Sequence, residues 1–132
     1  MSKKATFVLI GVIAMAIISV VAISSSKTGN AVNLPYYATS NPTVKQAYEF
    51  AFKNPDALDG VNCHCGCMEN VHNGRVHKRG LRDCFMTEDG GFEQHASQCD
   101  MCIQDTLEVK SMIQSGIAKE QIKQTIDSKY IR

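Results

Sequence analysis

The segment Cys63-His64-Cys65-Gly66-Cys67 places three thiols and an imidazole within five residues. Cys84 follows, then Cys99 and Cys102, and no cysteine lies outside this span. Thiolates are soft ligands, suited to Cu(I), Zn²⁺ or iron–sulfur clusters. A C-x-C-G-C run lets one loop wrap several sulfurs around a centre, and Gly66 frees the backbone to fold tightly. Cys99-Asp100-Met101-Cys102 is a C-x-x-C pair, a spacing common at zinc sites and often placed where a helix begins. The candidate ligands are therefore Cys63, Cys65, Cys67, Cys84, Cys99 and Cys102, with His77 and His95 as nitrogen donors. Six thiolates exceed the needs of one tetrahedral ion, which leaves room for two ions or a polynuclear cluster.

Methionine placement bears on the identity of the ion. Met68, Met86 and Met101 each lie within two residues of a cysteine. Thioethers join thiolates at Cu(I) sites and seldom at zinc, which puts copper slightly ahead of zinc. The plainer reading of each methionine is a gap-filler in a small core. Of the remaining histidines, His72 stands beside the turn signal Asn73-Gly74 and reads as solvated. His64 points away from its flanking cysteines if the segment is extended.

Two other chemistries compete for the same thiols. An exported domain with an even cysteine count is often a disulfide scaffold. Cysteines two apart rarely bond each other, so Cys63, Cys65 and Cys67 would each need a partner among Cys84, Cys99 and Cys102. The third chemistry is thiol–disulfide exchange by Cys99 and Cys102, because a C-x-x-C pair at a helix N-terminus lowers a thiol pKa. No C-x-x-C-H haem attachment occurs, and no Ser/His/Asp set, phosphate loop or paired-carboxylate site stands out. The expected role is binding more than catalysis.

The elements that must carry these residues are mainly helical. Asn41-Pro42 opens a first helix, with Asn as N-cap and Pro at the first helical position. Val44, Ala47, Tyr48, Ala51 and Phe52 then recur at the spacing of one buried face. Asn54-Pro55 ends it, Pro55 to Leu58 forms one more turn, and Asp59-Gly60 opens the cysteine loop. From Cys63 to Gly91 the pattern is irregular, with a small hairpin expected over Val71 to Val76. A loop this long needs cross-links or a metal to fix it. Cys102, Thr106, Val109 and Ile113 mark one face of a helix starting near Asp100, and Ser115-Gly116 caps its end. Ile122, Ile126 and Tyr130 mark a last helix, antiparallel to its predecessor.

The N-terminus adds a membrane segment. Lys3-Lys4 precedes nineteen uncharged residues, Ala5 to Ile23. At about 1.5 Å per residue these span roughly 28 Å, close to a bilayer's hydrocarbon core. The run is longer than a signal-peptide core, which favours an uncleaved anchor over a cleaved leader. The two lysines keep the N-terminus inside and send the rest across the cytoplasmic membrane. Residues 1–24 are thus read as the anchor, 25–40 as a polar linker holding Tyr36 and Tyr37, and 41–132 as an extracytoplasmic cysteine-rich domain. If residues 1–24 are cleaved, the domain is secreted. Fourteen Lys+Arg against 13 Asp+Glu, with no basic stripe, give no sign of a nucleic-acid partner.

Cys63-His64-Cys65-Gly66-Cys67 resembles the core of the PCYCGC-motif proteins. Upstream, Tyr48 to Leu58 resembles the helix that precedes the motif. Downstream, His77-x-x-x-Leu81-x-x-Cys84-Phe85, Phe92-x-x-His95-Ala96-x-x-Cys99-x-x-Cys102 and Gly116 to Tyr130 extend the similarity over residues 44–130. The chain departs from the motif at Asn62, where the family has Pro, and at His64, where it has Tyr. His64 thereby adds a candidate ligand. The resemblance implies a membrane-tethered, extracytoplasmic helical protein with bound metal, either in copper handling or as part of a larger membrane complex. A fainter similarity joins Cys99-x-x-Cys102 and the final helices to the small helical thiol oxidoreductases of cytochrome c maturation.

Overall fold

A computed structural model describes residues 31–71 and 74–131. The expected anchor over residues 1–24 and the solvated reading of His72 lie outside the described residues. Among the described residues no helix is long and apolar enough to cross a membrane.

Among the described residues the α-helices are five: α1 (Pro42–Lys53), α2 (Pro55–Leu58), α3 (Leu81–Phe85), α4 (Asp100–Gln114) and α5 (Lys119–Ser128). Short 3-10 turns cover Tyr36–Thr39 and His95–Gln98. No strand occurs among the described residues, only isolated bridges between Val61 and Gly80 and between Met86 and Phe92. The fold is mainly α, as the sequence implies.

Helix α1 begins where the capping argument places it, with the Asn41 side chain accepting from Val44 N–H at 3.0 Å. Val44, Ala47, Tyr48 and Ala51 are buried. Phe52 is not: it is 42% exposed, and Phe50 is buried instead. Phe50 lies on the flank beside Ile113 and Lys110 of α4. Phe52 rests against the Phe92 ring, with centroids 5.3 Å apart. The core thus widens α1's stripe towards α4, its main packing partner.

Helix α4 ends in a Schellman cap. Ile117 N–H donates to Met112 C=O at 3.0 Å and Gly116 N–H to Ile113 C=O at 2.9 Å, with Gly116 at φ +76°. The chain then reverses into α5, which buries Ile122 and Ile126 against the domain. Past the end of α5, Tyr130 Oη donates to Asp105 of α4, and Lys129 pairs with Asp105 and Glu108. These contacts make the two helices an antiparallel pair. Ile113, expected on the buried face, is 39% exposed because it stands at the last turn of α4.

At the other end, Tyr37 packs edge-on against Tyr48 at 6.1 Å and donates its hydroxyl to Phe92 C=O, while Tyr36 faces solvent. The turn around Tyr37 in the stretch read as linker therefore packs on the domain.

The segment between Cys63 and Gly91 is less irregular than its sequence suggests. It contains α3, five residues long, which buries Leu81, Cys84 and Phe85. No hairpin strands form over the described part of Val71 to Val76. The loop instead closes through His77 N–H donating to Cys67 C=O at 3.1 Å.

Candidate metal centre

Three polypeptide arms meet at the cysteines, and each is fixed by interactions outside the thiols. The first carries Cys63, Cys65 and Cys67. It leaves the core at Val61, whose carbonyl accepts from Leu81 N–H at 2.8 Å, while Gly60 N–H donates to Arg79 C=O at 3.0 Å. Beyond it, the Gly66 carbonyl accepts from the N–H groups of Glu69 and Asn70 and from the Asn70 amide, closing a tight turn. Met68 Sδ accepts from Cys63 N–H at 3.2 Å.

The second arm carries His77 and, on α3, Cys84. Asp83, in the middle of α3, is buried and takes Arg79 Nε at 2.6 Å and Arg79 N–H at 2.9 Å. The third carries His95, Cys99 and Cys102. Glu93 Oε1 accepts from the Gln94 and His95 N–H groups, and Glu93 Oε2 pairs with Arg75 at 3.1 Å. Tyr48 Oη spans the same segment, donating to Glu93 C=O at 2.7 Å and accepting from Ser97 N–H at 3.1 Å. Cys99 is the N-cap of α4 and Cys102 sits in its first turn. The positive end of the helix dipole therefore faces both thiols.

The sulfurs converge. Cys63 Sγ lies 3.2 Å from Cys65, 3.5 Å from Cys84 and 3.5 Å from Cys102. Cys67 and Cys84 are 3.7 Å apart, and Cys65 and Cys102 are 3.9 Å apart. All six are free thiols, and these separations are far from the ~2.0 Å of an S–S bond. They match a metal site better: four thiolates on a zinc ion at ~2.3 Å stand about 3.8 Å from one another.

Both predicted histidines reach the cluster. His77 is buried, with Nδ1 3.4 Å from Cys84 Sγ, and His95 Nε2 is 3.4 Å from Cys65 Sγ. The two rings meet edge to face at 5.1 Å. Two four-donor groups have all ligand atoms within 4.8 Å of one another: Cys65, His95, Cys99 and Cys102; and Cys67, His77, Cys84 and His95. Cys63 joins Cys65 and Cys67 in one three-thiol group, and Cys84 and Cys102 in another.

His64 does not take part. Its Nε2 lies 2.9 Å from Asp127 Oδ1 and its ring stacks on Tyr130 at 4.3 Å. Asn62 donates to both oxygens of the same Asp127 at 3.1 Å. The two positions that depart from the family motif thus share one partner on α5 and pin the loop to that helix.

The thiols do not share their protons evenly. Hydrogen bonds from Cys102, then from Cys67 and Cys84, hold Cys63 far below the ordinary thiol range. Bonding to Cys84, with help from His95, pushes Cys65 down to about 4. Cys84 is pushed up, chiefly by its bond to Cys102, and Cys102 chiefly by its bond to Cys63. Cys67 rises through its bond to Cys63. Burial raises Cys99 and lowers His77.

Sequence reasoning about ligands missed the residues that hold them: Tyr48, Arg75, Arg79, Asp83 and Glu93. The available signal was the placement of charged residues inside a segment that must be buried to bring its cysteines together.

A small helical domain with a thiol- and imidazole-lined interior, close enough to hold a metal ion, is the class these features define. The chain belongs to the family of proteins of unknown function with a PCYCGC motif, whose model matches residues 19–132. No curated protein and no solved structure matches the chain.

Proposed function

We propose that this protein binds a soft metal ion outside the cytoplasmic membrane, to which residues 1–24 tether it. The donor set is drawn from the six thiolates, His77 and His95. The observation that carries this reading is the convergence of the sulfurs. Cys63 meets three other sulfurs within 3.5 Å. A disulfide scaffold pairs its cysteines off, whereas a metal site gathers them.

The exchange reading has less support. Burial raises Cys99, and hydrogen bonding to Cys63 raises Cys102, the reverse of the lowered thiol that exchange needs. Copper and zinc both suit the donors. Copper keeps its slight lead through Met68, whose sulfur stands at the edge of the cluster beside Cys63 N–H. A cavity of about 470 Å³ lined by Asn62, Cys63, His64, Gly66, Met68 and Glu69 gives an ion a route to that edge. Such a route suits copper handling. The rigid domain on a single anchor equally suits an accessory subunit of a larger membrane complex.

The test is elemental analysis with thiol titration on the full chain, purified anaerobically from its native membranes. Copper or zinc at one or more per chain, with most thiols protected until a chelator is added, is the expected result. No metal and no free thiol after denaturation would overturn the reading in favour of a disulfide scaffold. No metal with one reducible pair would replace it with thiol exchange.

A further inference from the structure

We infer that the centre takes two metal ions bridged by the Cys63 thiolate. This rests on the metal-binding reading and adds its nuclearity and the division of its ligands. Cys65, Cys99 and Cys102 belong to one four-donor group, and Cys67, Cys84 and His77 to the other. His95 is the fourth member of both groups, and its one ring nitrogen cannot complete two shells, so at least one trio still lacks a donor. Cys63 Sγ lies between them, 3.5 Å from Cys102 in the first trio and 3.5 Å from Cys84 in the second. Its 3.2 Å separation from Cys65 and its grouping with Cys67 place it on an edge common to both shells. One bridging thiolate therefore completes both ions.

The number of sulfurs supports the count. Cys63, Cys67, Cys84 and Cys102 are buried and Cys65 and Cys99 half-buried, all drawn to one region. A single four-coordinate ion uses at most four of the six, and a second ion uses the rest. His95 is the donor left over. Its Nε2, 3.4 Å from Cys65 Sγ, is placed to donate a hydrogen bond to that thiolate, a second contact of the kind that tunes a ligand's basicity.

The experiment loads the full chain, in detergent micelles, with ¹¹³Cd²⁺ as the sole probe ion. Two ions per chain by native mass spectrometry, with two ¹¹³Cd resonances split by mutual coupling through a shared sulfur, are expected. His64→Ala, at a ring held by Asp127 and Tyr130 outside the cluster, should keep both ions and the splitting. Cys63→Ser should lose the splitting. Should that variant not fold, the wild-type spectrum and His64→Ala carry the test. Two uncoupled resonances would overturn the bridge. One resonance at one ion per chain would overturn the pair of ions and leave the metal-binding reading standing. Loss of an ion from His64→Ala would overturn the division of ligands. No cadmium on the folded chain would overturn the metal-binding reading itself.

Discussion

Gly80→Ala strikes the contact that aligns two cysteine-bearing arms, one entering the loop at Val61 and the other entering α3 at Leu81. Gly80 has φ +71° and ψ −138°, a region close to glycine's own, and an L residue there costs about 1–3 kcal/mol. A Cβ at this position would lie 2.0 Å from Val61 carbonyl oxygen and 2.9 Å from its carbon. Both are backbone atoms and cannot swing aside as a side-chain tip can. Relieving the clash pulls the Val61 carbonyl away from Leu81 N–H, now 2.8 Å from it, and a buried unpaired group costs about 1–3 kcal/mol. The expected loss is about 3–5 kcal/mol, a large share of the ~5–15 kcal/mol of a typical domain. Gly116→Ala is the control, because Gly116 shares the positive φ of +76° and has nothing within 4 Å of its would-be Cβ. Its loss should be about 1 kcal/mol. With a urea slope of about 1.5 kcal/mol per molar, Gly80→Ala should unfold about 2–3 M earlier than wild type and Gly116→Ala less than about 1 M earlier. The assay is urea unfolding of the reduced, chelated full chain in micelles, repeated with zinc. Gly80→Ala should also bind zinc more weakly, since site formation and folding are coupled. Equal midpoints for the two variants would refute the argument that this crossing positions the arms.

Tyr48→Phe should cost about 2 kcal/mol in the same assay, because it strips the partner from Glu93 C=O and Ser97 N–H on either side of His95. Zinc affinity should fall with it, and an unchanged affinity would detach that clamp from the site. His64→Ala should leave metal stoichiometry unaltered by native mass spectrometry, since His64 is held by Asp127 and Tyr130; loss of an ion would make it a ligand. Stability of the chelated chain, followed by circular dichroism, should fall as pH drops. Burial lowers the His77 pKa, so below about 6.5 the unfolded chain takes up a proton that the folded chain refuses. This contribution is fully present above that pH. A His77→Gln variant with the same acid profile as wild type would refute it.

The sequence by itself determined the chemical inventory and the local elements. Cysteine spacing marked the thiols, Asn41-Pro42 marked the start of α1, and Ser115-Gly116 marked the end of α4. These are legible because a cap or a C-x-x-C pair acts over a few residues, within the reach of one turn of backbone. Helix α3 was hidden because five residues are too few to show a period, and because packing of Leu81, Cys84 and Phe85 stabilises it. Phe50 and Phe52 exchanged roles for a related reason: their burial depends on where α4 and Phe92 lie. The departures Asn62 and His64 looked like separate changes along the chain, yet they meet at Asp127, more than sixty residues away. Which sulfurs share a neighbour, which imidazoles turn inward, and the crossing of Gly80 over Val61 were decided by tertiary structure alone. Each is a contact between distant segments, formed only when burial of a common core brings them together, and local periodicity carries no record of it.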